Sequence, residues 1–267
     1  MTQIDISELA RALIPTAHRA GTCIMSHFGQ ADVEYKDDQS PVTVADREAD
    51  EIIVEHLIKL APVIPVVSEE SSPTQKIDSS DTFFLVDPLD GTKEFINGRD
   101  EFTVNVALIE HGKPSFGLVY APASSKLYVT LDRDHVVKAI MDPGQAAPAF
   151  DELDFQQIKS REPGASGLVA AISRSHLNAE TEEFLKKNQI QQTFTSGSSL
   201  KFCCLAEGLA DVYPRYGRTM EWDTAAGHAV LGAAGGAVLD ETGAPLGYGK
   251  TEQTYANPGF IAWGRTP

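Results

Sequence analysis

Cysteine is too scarce here for a cross-linked scaffold, and no apolar run is long enough for a bilayer. Only Cys23, Cys203 and Cys204 occur among 267 residues. Three cannot all pair, adjacent Cys203 and Cys204 are poor partners for each other, and the spacing is that of neither a disulfide framework nor a zinc site. Buried thiols in a reducing cytoplasm are the reading that remains. No stretch approaches the ~20 apolar residues of a membrane helix. The opening MTQIDISELARALIP lacks both the basic start and the cleavage site of a secretory signal. Runs of Lys or Arg are missing too, and the net charge is −16, from 22 basic and 38 acidic residues. That balance argues against nucleic acid as a partner and against adhesion to anionic lipid. A phosphorylated small molecule would be repelled as well, unless clustered carboxylates recruit divalent cations. Most of the carboxylates serve only solubility.

What is present is a globular pattern, 42% hydrophobic and long enough for one large domain or two halves sharing an interface. Ile6, Leu9, Leu13, Ala17, Ala20, Ile24 and Phe28 form one helical stripe, with Asp5 and Glu8 as a capping box and Gly29 as a stop. Pro15 should kink this helix or mark a later start. A second helix is expected over Val44–Leu60, closed by Pro62. Ile64–Val67 and Phe83–Val86 read as short buried strands that run straight into carboxylates. Phe102–Glu110 and Ser115–Ala121 read as a hairpin, with Lys126–Leu131 as a third strand.

Between about 133 and 165 the pattern weakens under Pro143, Gly144, Pro148, Pro163 and Gly164, and a division is placed here between residues 1–132 and 133–267. Beyond it strands (Gly167–Ile172, Gln192–Thr195, Asp211–Tyr213, Ala237–Leu239, Phe260–Trp263) alternate with helices (Asn178–Asn188, Leu200–Leu209, Thr224–Ala234). The expectation is an α+β half followed by an α/β half.

The informative segment is Val86-Asp87-Pro88-Leu89-Asp90-Gly91-Thr92. Two carboxylates three residues apart across a tight turn can face one point, where a hard cation would relieve their repulsion. The same composition also makes an ordinary polar β-turn. Glu69 in Ser68-Glu69-Glu70 follows an apolar strand, Asp223 sits at the mouth of an Ala/Gly-rich helix, and Asp46 lies in the first turn of another. Capping or a solvated turn accounts for each of these alone. Gly232–Gly236 lacks the strand–loop–helix order of a phosphate loop and suggests close helix–sheet packing. His18, His27, His56, His111, His135 and His228 show no metal-binding spacing, and Ser68 lacks a nucleophile-elbow pattern.

Taken together, Asp87–Phe95 (DPLDGTKEF), Ser68–Glu70, Ser40–Asp46 (SPVTVAD) and Trp222–Val230 (WDTAAGHAV) resemble the signatures of the inositol monophosphatase superfamily. The longer stretch from Val86 to Pro122, with GSSLKFC (Gly197–Cys203), Ser173–His176 and Tyr213–Arg215, resembles its 3′(2′),5′-bisphosphate nucleotidase branch. The resemblance implies a layered αβαβα sandwich of the sugar-phosphatase type and two to three Mg²⁺ ions. Glu69, Asp87 and the carbonyl of Leu89 would hold one ion. Asp87 would bridge to a second, completed by Asp90 and Asp223, and Glu69 would reach a third through water. One ion would activate the attacking water and another steady the leaving oxygen. Asp46 and Thr92, with Glu69, would be the catalytic residues, Thr92 orienting the water and passing its proton to Asp46.

Substrate would touch Glu69, Leu89, Asp90, Gly91, Thr92 and Asp223. By the same resemblance His176, Ser198, Lys201 and Arg215 would bind a nucleotide, Lys201 or Arg215 near its second phosphate. Ser198 as a helix cap, Lys201 as a solvated charge and His176 as a strand-end surface residue are the plainer readings of those three. The expected reaction is adenosine 3′,5′-bisphosphate to AMP and phosphate in sulfur metabolism, inhibited by lithium. An inositol monophosphatase and a non-catalytic metal- or phosphate-binding regulator are the alternatives. Family habit alone implies a homodimer and a peripheral association with the cytoplasmic face of the inner membrane; the composition supports neither.

Overall fold

In the computed structural model, which describes residues 4–29, 33–36, 41–71, 82–165, 167–173 and 178–266, two helices open the chain. Helix α1 (Ile6–His27) starts where Asp5 Oδ1 accepts from Ser7 N at 2.9 Å and Glu8 N at 3.1 Å. It runs through Pro15, so the later start expected from that residue does not occur. Pro15 and Arg11, whose carbonyl loses its helical partner to the proline, both lie on the exposed face of the helix. A small antiparallel pair, β1 (Val33–Tyr35) and β2 (Pro41–Thr43), leads into α2 (Val44–Leu60).

Next comes a seven-stranded sheet: β3 (Val66–Ser68), β4 (Phe83–Asp90), β5 (Thr103–Glu110), β6 (Lys113–Ala121), β7 (Lys126–Asp132), β8 (His135–Ile140) and β9 (Gln156–Gln157), in that order. β3 runs parallel to β4, and every other pair is antiparallel. The sheet therefore continues past residue 132 into the segment where the sequence pattern fades. Period-two alternation sends successive side chains to opposite faces, and both faces are buried. Phe84, Val86, Val104, Val106, Leu118 and Tyr120 pack with α1 and α2; Phe83, Leu85, Ala107, Ile109, Val119 and Tyr128 pack on the other side.

A short helix, α3 (Thr92–Ile96), follows β4. After β9 come β10 (Val169–Ile172), α4 (Ala179–Lys187), β11 (Gln192–Thr195), α5 (Leu200–Ala206), β12 (Val212–Arg215), β13 (Thr219–Met220), α6 (Glu221–Ala233), β14 (Ala237–Asp240), β15 (Ala256–Asn257) and β16 (Phe260–Trp263). Strands in the order β11-β10-β12-β16-β14 make a five-stranded mixed sheet, parallel around β10 and antiparallel around β16. Helices α5 and α6 lie between the two sheets, and α4 covers the far face. The layers read helix, sheet, helix, sheet, helix: an αβαβα sandwich.

Two glycines let α6 come close. A Cβ on Gly117 of β6 would lie 2.7 Å from Ala229 Cβ and closer still to the Ala226 carbonyl. One on Gly227 would lie 2.8 Å from Phe202 Cγ of α5. At the far end of α6, a Cβ on Gly236 would lie 2.5 Å from Trp263 O, in line with the close packing expected of that glycine run. Two helix boundaries differ from expectation. Helix α5 stops at Ala206, ahead of Gly208 with φ +71°, and α6 begins at Glu221 rather than Thr224. Glu221 is fully buried and accepts from Gly249 N at 2.7 Å and Lys250 N at 2.9 Å, a long-range anchor with no local sequence signal.

Candidate active site

Strand pairing assembles the acidic residues. Parallel β3 and β4 set Ser68 opposite Val86, and Glu69 N donates to Val86 O at 3.1 Å, so Glu69 and Asp87 emerge side by side. The β4–β5 register then slips between Asp87 and Asp90, and such an irregularity re-aims side chains at a sheet end. Gly91 sits at φ +98°, and a Cβ there would meet Glu101 O at 3.1 Å, so only glycine makes this turn without strain. Across the gap between layers, Asp223 occupies the first turn of α6, where its Oδ2 accepts from Met220 N at 2.8 Å. One carboxylate oxygen from each of Glu69, Asp87 and Asp223 lies within 4.8 Å of the other two.

These groups line a cleft of about 250 Å³ with Leu89, Asp90, Thr92, Ser198, Lys201, Arg215 and Arg218. Burial pushes the Asp87 carboxyl well above its ordinary range, and the charges of Glu69, Asp90 and Asp223 push it further. Asp223 is raised well above its usual value by burial and then by Asp90. Glu69 is raised by burial, although Lys36 opposes the shift. Burial raises Asp90 too, against hydrogen bonds from Ser198 Oγ at 2.8 Å and Ser199 N at 2.7 Å. A dry cluster of mutually repelling oxygen donors suits a hard divalent cation.

Beside the cluster, Thr92 Oγ1 lies 3.0 Å from Asp46 Oδ1 and 3.3 Å from the Leu89 carbonyl. Asp46 is buried, and its Oδ2 accepts from Thr43 N at 2.8 Å and from the Thr43 hydroxyl. It therefore caps α2 with one oxygen and receives Thr92 with the other. Burial raises its pKa, with hydrogen bonds from Thr43 and Thr92 among those opposing.

Residues 5–264 match the sequence profile of the inositol monophosphatase family. The chain belongs to that family. It is 46% identical over 249 residues to the 3′(2′),5′-bisphosphate nucleotidase CysQ of Escherichia coli O157:H7, covering 91% of this chain and 95% of that one. The crystal structure of CysQ from Bacteroides thetaiotaomicron superposes with a TM-score of 0.80 at 37% identity, covering 98% of both chains. A Thermotoga maritima IMPase superposes with a TM-score of 0.70 at 26% identity, covering 94% of this chain and 90% of that one. The family's phosphatase activity is thus the class of chemistry in which this cleft belongs.

Of the residues singled out from sequence, the fold gathers Asp46, Glu69, Asp87, Leu89, Asp90, Gly91, Thr92, Ser198, Lys201, Arg215 and Asp223 around one cleft. His176 lies outside the described residues, as does Ser40. Two plain readings give way. Lys201 is not a solvated charge: it is 4% exposed, donates to Ser198 O at 2.6 Å, and burial pulls its pKa down to about 8. Ser198 is not the cap of α5, a place taken by Ser199; its φ of +52° turns its hydroxyl to Asp90.

Sequence reasoning missed Lys36, whose Nζ donates to Glu69 Oε1 at 2.9 Å and Glu70 Oε1 at 2.7 Å. Burial pulls the Lys36 ammonium down, and the two glutamates outweigh it, leaving its pKa raised. Arg218 and Asn105 were missed as well. Asn105 pairs with Asp87 across the β4–β5 ladder and lies 3.5 Å from Asp90 Oδ2, and an alternating strand gives no sign of such a role.

Proposed function

We propose that this chain is a Mg²⁺-dependent 3′(2′),5′-bisphosphate nucleotidase that takes adenosine 3′,5′-bisphosphate to AMP and inorganic phosphate. The observation that carries the reading is the convergence of four carboxylates and two cationic side chains on one cleft. Glu69, Asp87, Asp90 and Asp223 line it together with Lys201 and Arg215, Lys201 acting on Asp90 and Arg215 on Asp223. The identity with curated nucleotidases over most of the chain supports the choice of substrate.

Glu69, Asp87, the Leu89 carbonyl, Asp90 and Asp223 would hold the metal ions, since all offer oxygen and the four carboxylates outnumber the positive side chains that act on them, Lys36, Lys201 and Arg215. Divalent ions held there supply Lewis-acid chemistry, acidifying water and steadying charge on the leaving sugar oxygen.

The chain's own groups do the rest. With Asp46 ionised, the Thr92 hydroxyl proton points to Asp46 and the lone pairs of Thr92 Oγ1 are free to accept from a water in the cleft. As that water attacks phosphorus, its proton passes to Thr92 Oγ1 while the Thr92 proton moves to Asp46, whose raised pKa suits it as the terminal base. The phosphorus–oxygen bond to the sugar breaks, and the nucleoside oxygen takes a proton from solvent. No phosphoenzyme forms. Arg215 Nε is buried and has no hydrogen-bond partner among the described residues, a donor suited to an oxygen of the second phosphate.

The deciding assay measures phosphate release from adenosine 3′,5′-bisphosphate, its sulfated analogue and inositol phosphate, with and without Mg²⁺. Preference for the bisphosphate, abolished by chelation and reduced by lithium, is expected. Faster turnover of inositol phosphate would transfer the specificity to the inositol branch. No Mg²⁺-dependent release from any of the three would leave a metal-binding regulator.

A further inference from the structure

Cys23 and His27 stand four residues apart on α1 and so share one helix face. Folding lays Glu48 of α2 against them. Glu48 Oε2 lies 3.1 Å from Cys23 Sγ and 2.9 Å from His27 Nε2. One ligand atom from each of the three falls within 4.8 Å of the other two. We propose that Cys23, His27 and Glu48 form a second metal site, selective for a borderline ion such as Zn²⁺, on the seam between α1 and α2.

The donor set separates this site from the catalytic cleft. There every candidate ligand is oxygen, which suits Mg²⁺; here sulfur, nitrogen and oxygen converge, a combination that favours Zn²⁺ and its neighbours over hard cations. Tetrahedral zinc, with bonds of roughly 2.0–2.3 Å, sets its ligand atoms about 3.3–3.6 Å apart. The two separations to Glu48 Oε2 need to open by only a few tenths of an ångström, and Cys23 and His27 already bring their ligand atoms within 4.8 Å of each other. The His27 and Glu48 side chains are 33% and 49% exposed, which gives an ion a path in and leaves the fourth position to water.

Binding balances simply. The Cys23 thiol loses its proton to solvent as the sulfur–metal bond forms, while neutral His27 and ionised Glu48 donate lone pairs. Sequence spacing hid the site because its third ligand comes from another helix.

Its placement suggests a brace rather than a second reaction centre. Glu48 is two residues beyond Asp46 on α2. Phe28, next to His27, packs on Phe95 and Phe102 at ring separations of 5.6 and 5.3 Å, behind the helix that begins with Thr92. An ion here would tie the end of α1 to the start of α2, the helix that also carries Asp46.

Cobalt(II) titrated into the full chain in excess Mg²⁺ tests the site. Thiolate ligation gives a near-ultraviolet charge-transfer band that the carboxylate cluster cannot produce. A band saturating at one equivalent and displaced by Zn²⁺ is expected. Cys23→Ser should abolish it, and His27→Gln and Glu48→Gln should each weaken cobalt binding about tenfold or more. Zn²⁺ should raise the melting temperature of the wild type and not that of Cys23→Ser. Cys203 and Cys204, 0% and 8% exposed, remain in every variant as the internal control. No band in the wild type, or a band that survives Cys23→Ser, overturns the proposal.

Discussion

Asp87 and Asp211 are the same residue type, 1% and 2% exposed, yet the protein treats them in opposite ways. Asp211, at the foot of β12, accepts from Arg161 Nε and Nη2, both at 2.9 Å, and from Val169 N at 2.7 Å. Burial alone would raise its carboxyl, but the guanidinium and the amide outweigh that and hold it below the usual range. Among the described residues Asp87 receives one amide, Leu89 N at 3.1 Å, and otherwise faces carboxylates. One site closes its electrostatics within the chain and the other leaves them open. Unbalanced buried charge is expensive, and a fold retains it where something from solution completes the balance.

Breaking the open side has the largest expected effect. Asp87→Asn should lower Mg²⁺-dependent phosphate release by about 10³-fold while leaving the melting temperature of the chelated protein equal or higher. A chelated variant that melts well below the wild type would mean that Asp87 is paid for within the fold after all. Thr92→Ala sharpens the same side: activity should fall by about 10²-fold, with the stabilisation by Mg²⁺ intact. Loss of that stabilisation would move Thr92 from proton transfer to metal binding.

The closed side should respond in stability alone. Asp211→Asn leaves Arg161 without its carboxylate, and chemical denaturation should show a loss of about 2–3 kcal/mol at unchanged activity per folded molecule. An unchanged midpoint would reduce the bridge to a surface pair.

The smallest effect is in pH. The carboxyls of Asp87, Asp223, Asp90 and Glu69 are raised in the folded, metal-free chain. Their contribution is therefore greatest below the unfolded carboxylate range, near ~4, and is lost as pH rises through the folded values. Asp211, being lowered, contributes above its unfolded value and loses that contribution as pH falls through its folded one. In chelator the protein should melt higher at about pH 5.5 than at about pH 8, and Mg²⁺ should close most of the gap. A chelated melting temperature that rises with pH would contradict the open cluster.

Much of this architecture is legible in the residues. Helix α2 falls on Val44–Leu60 as its periodicity and Pro62 indicate, and β4 and β5 follow from short apolar runs. Local pattern also marks Glu69, Asp87, Asp90 and Asp223, because each follows a strand or opens a helix. What it cannot carry is anything fixed across distance. The burial of Lys201 depends on how α5 meets the rest of the cleft wall, and the anchoring of Glu221 on amides 28 and 29 residues away. Lys36 meets Glu69 only once β1 is in place, and β8 joins its sheet although the segment around it carries little periodicity.

The bare α-carbons of Gly117 and Gly227 acquire a further meaning from this arrangement. Asp223 rides on α6, whereas Glu69, Asp87 and Asp90 belong to the sheet side, so the standoff of that helix sets how far apart these carboxylates stand. A single added methyl at Gly117 would act as a shim between β6 and α6, while one at Gly227 would press α6 against Phe202 of α5, and neither touches a carboxylate. The spacing of the acidic cluster thus rests in part on positions that have no side chain and lie outside the cleft.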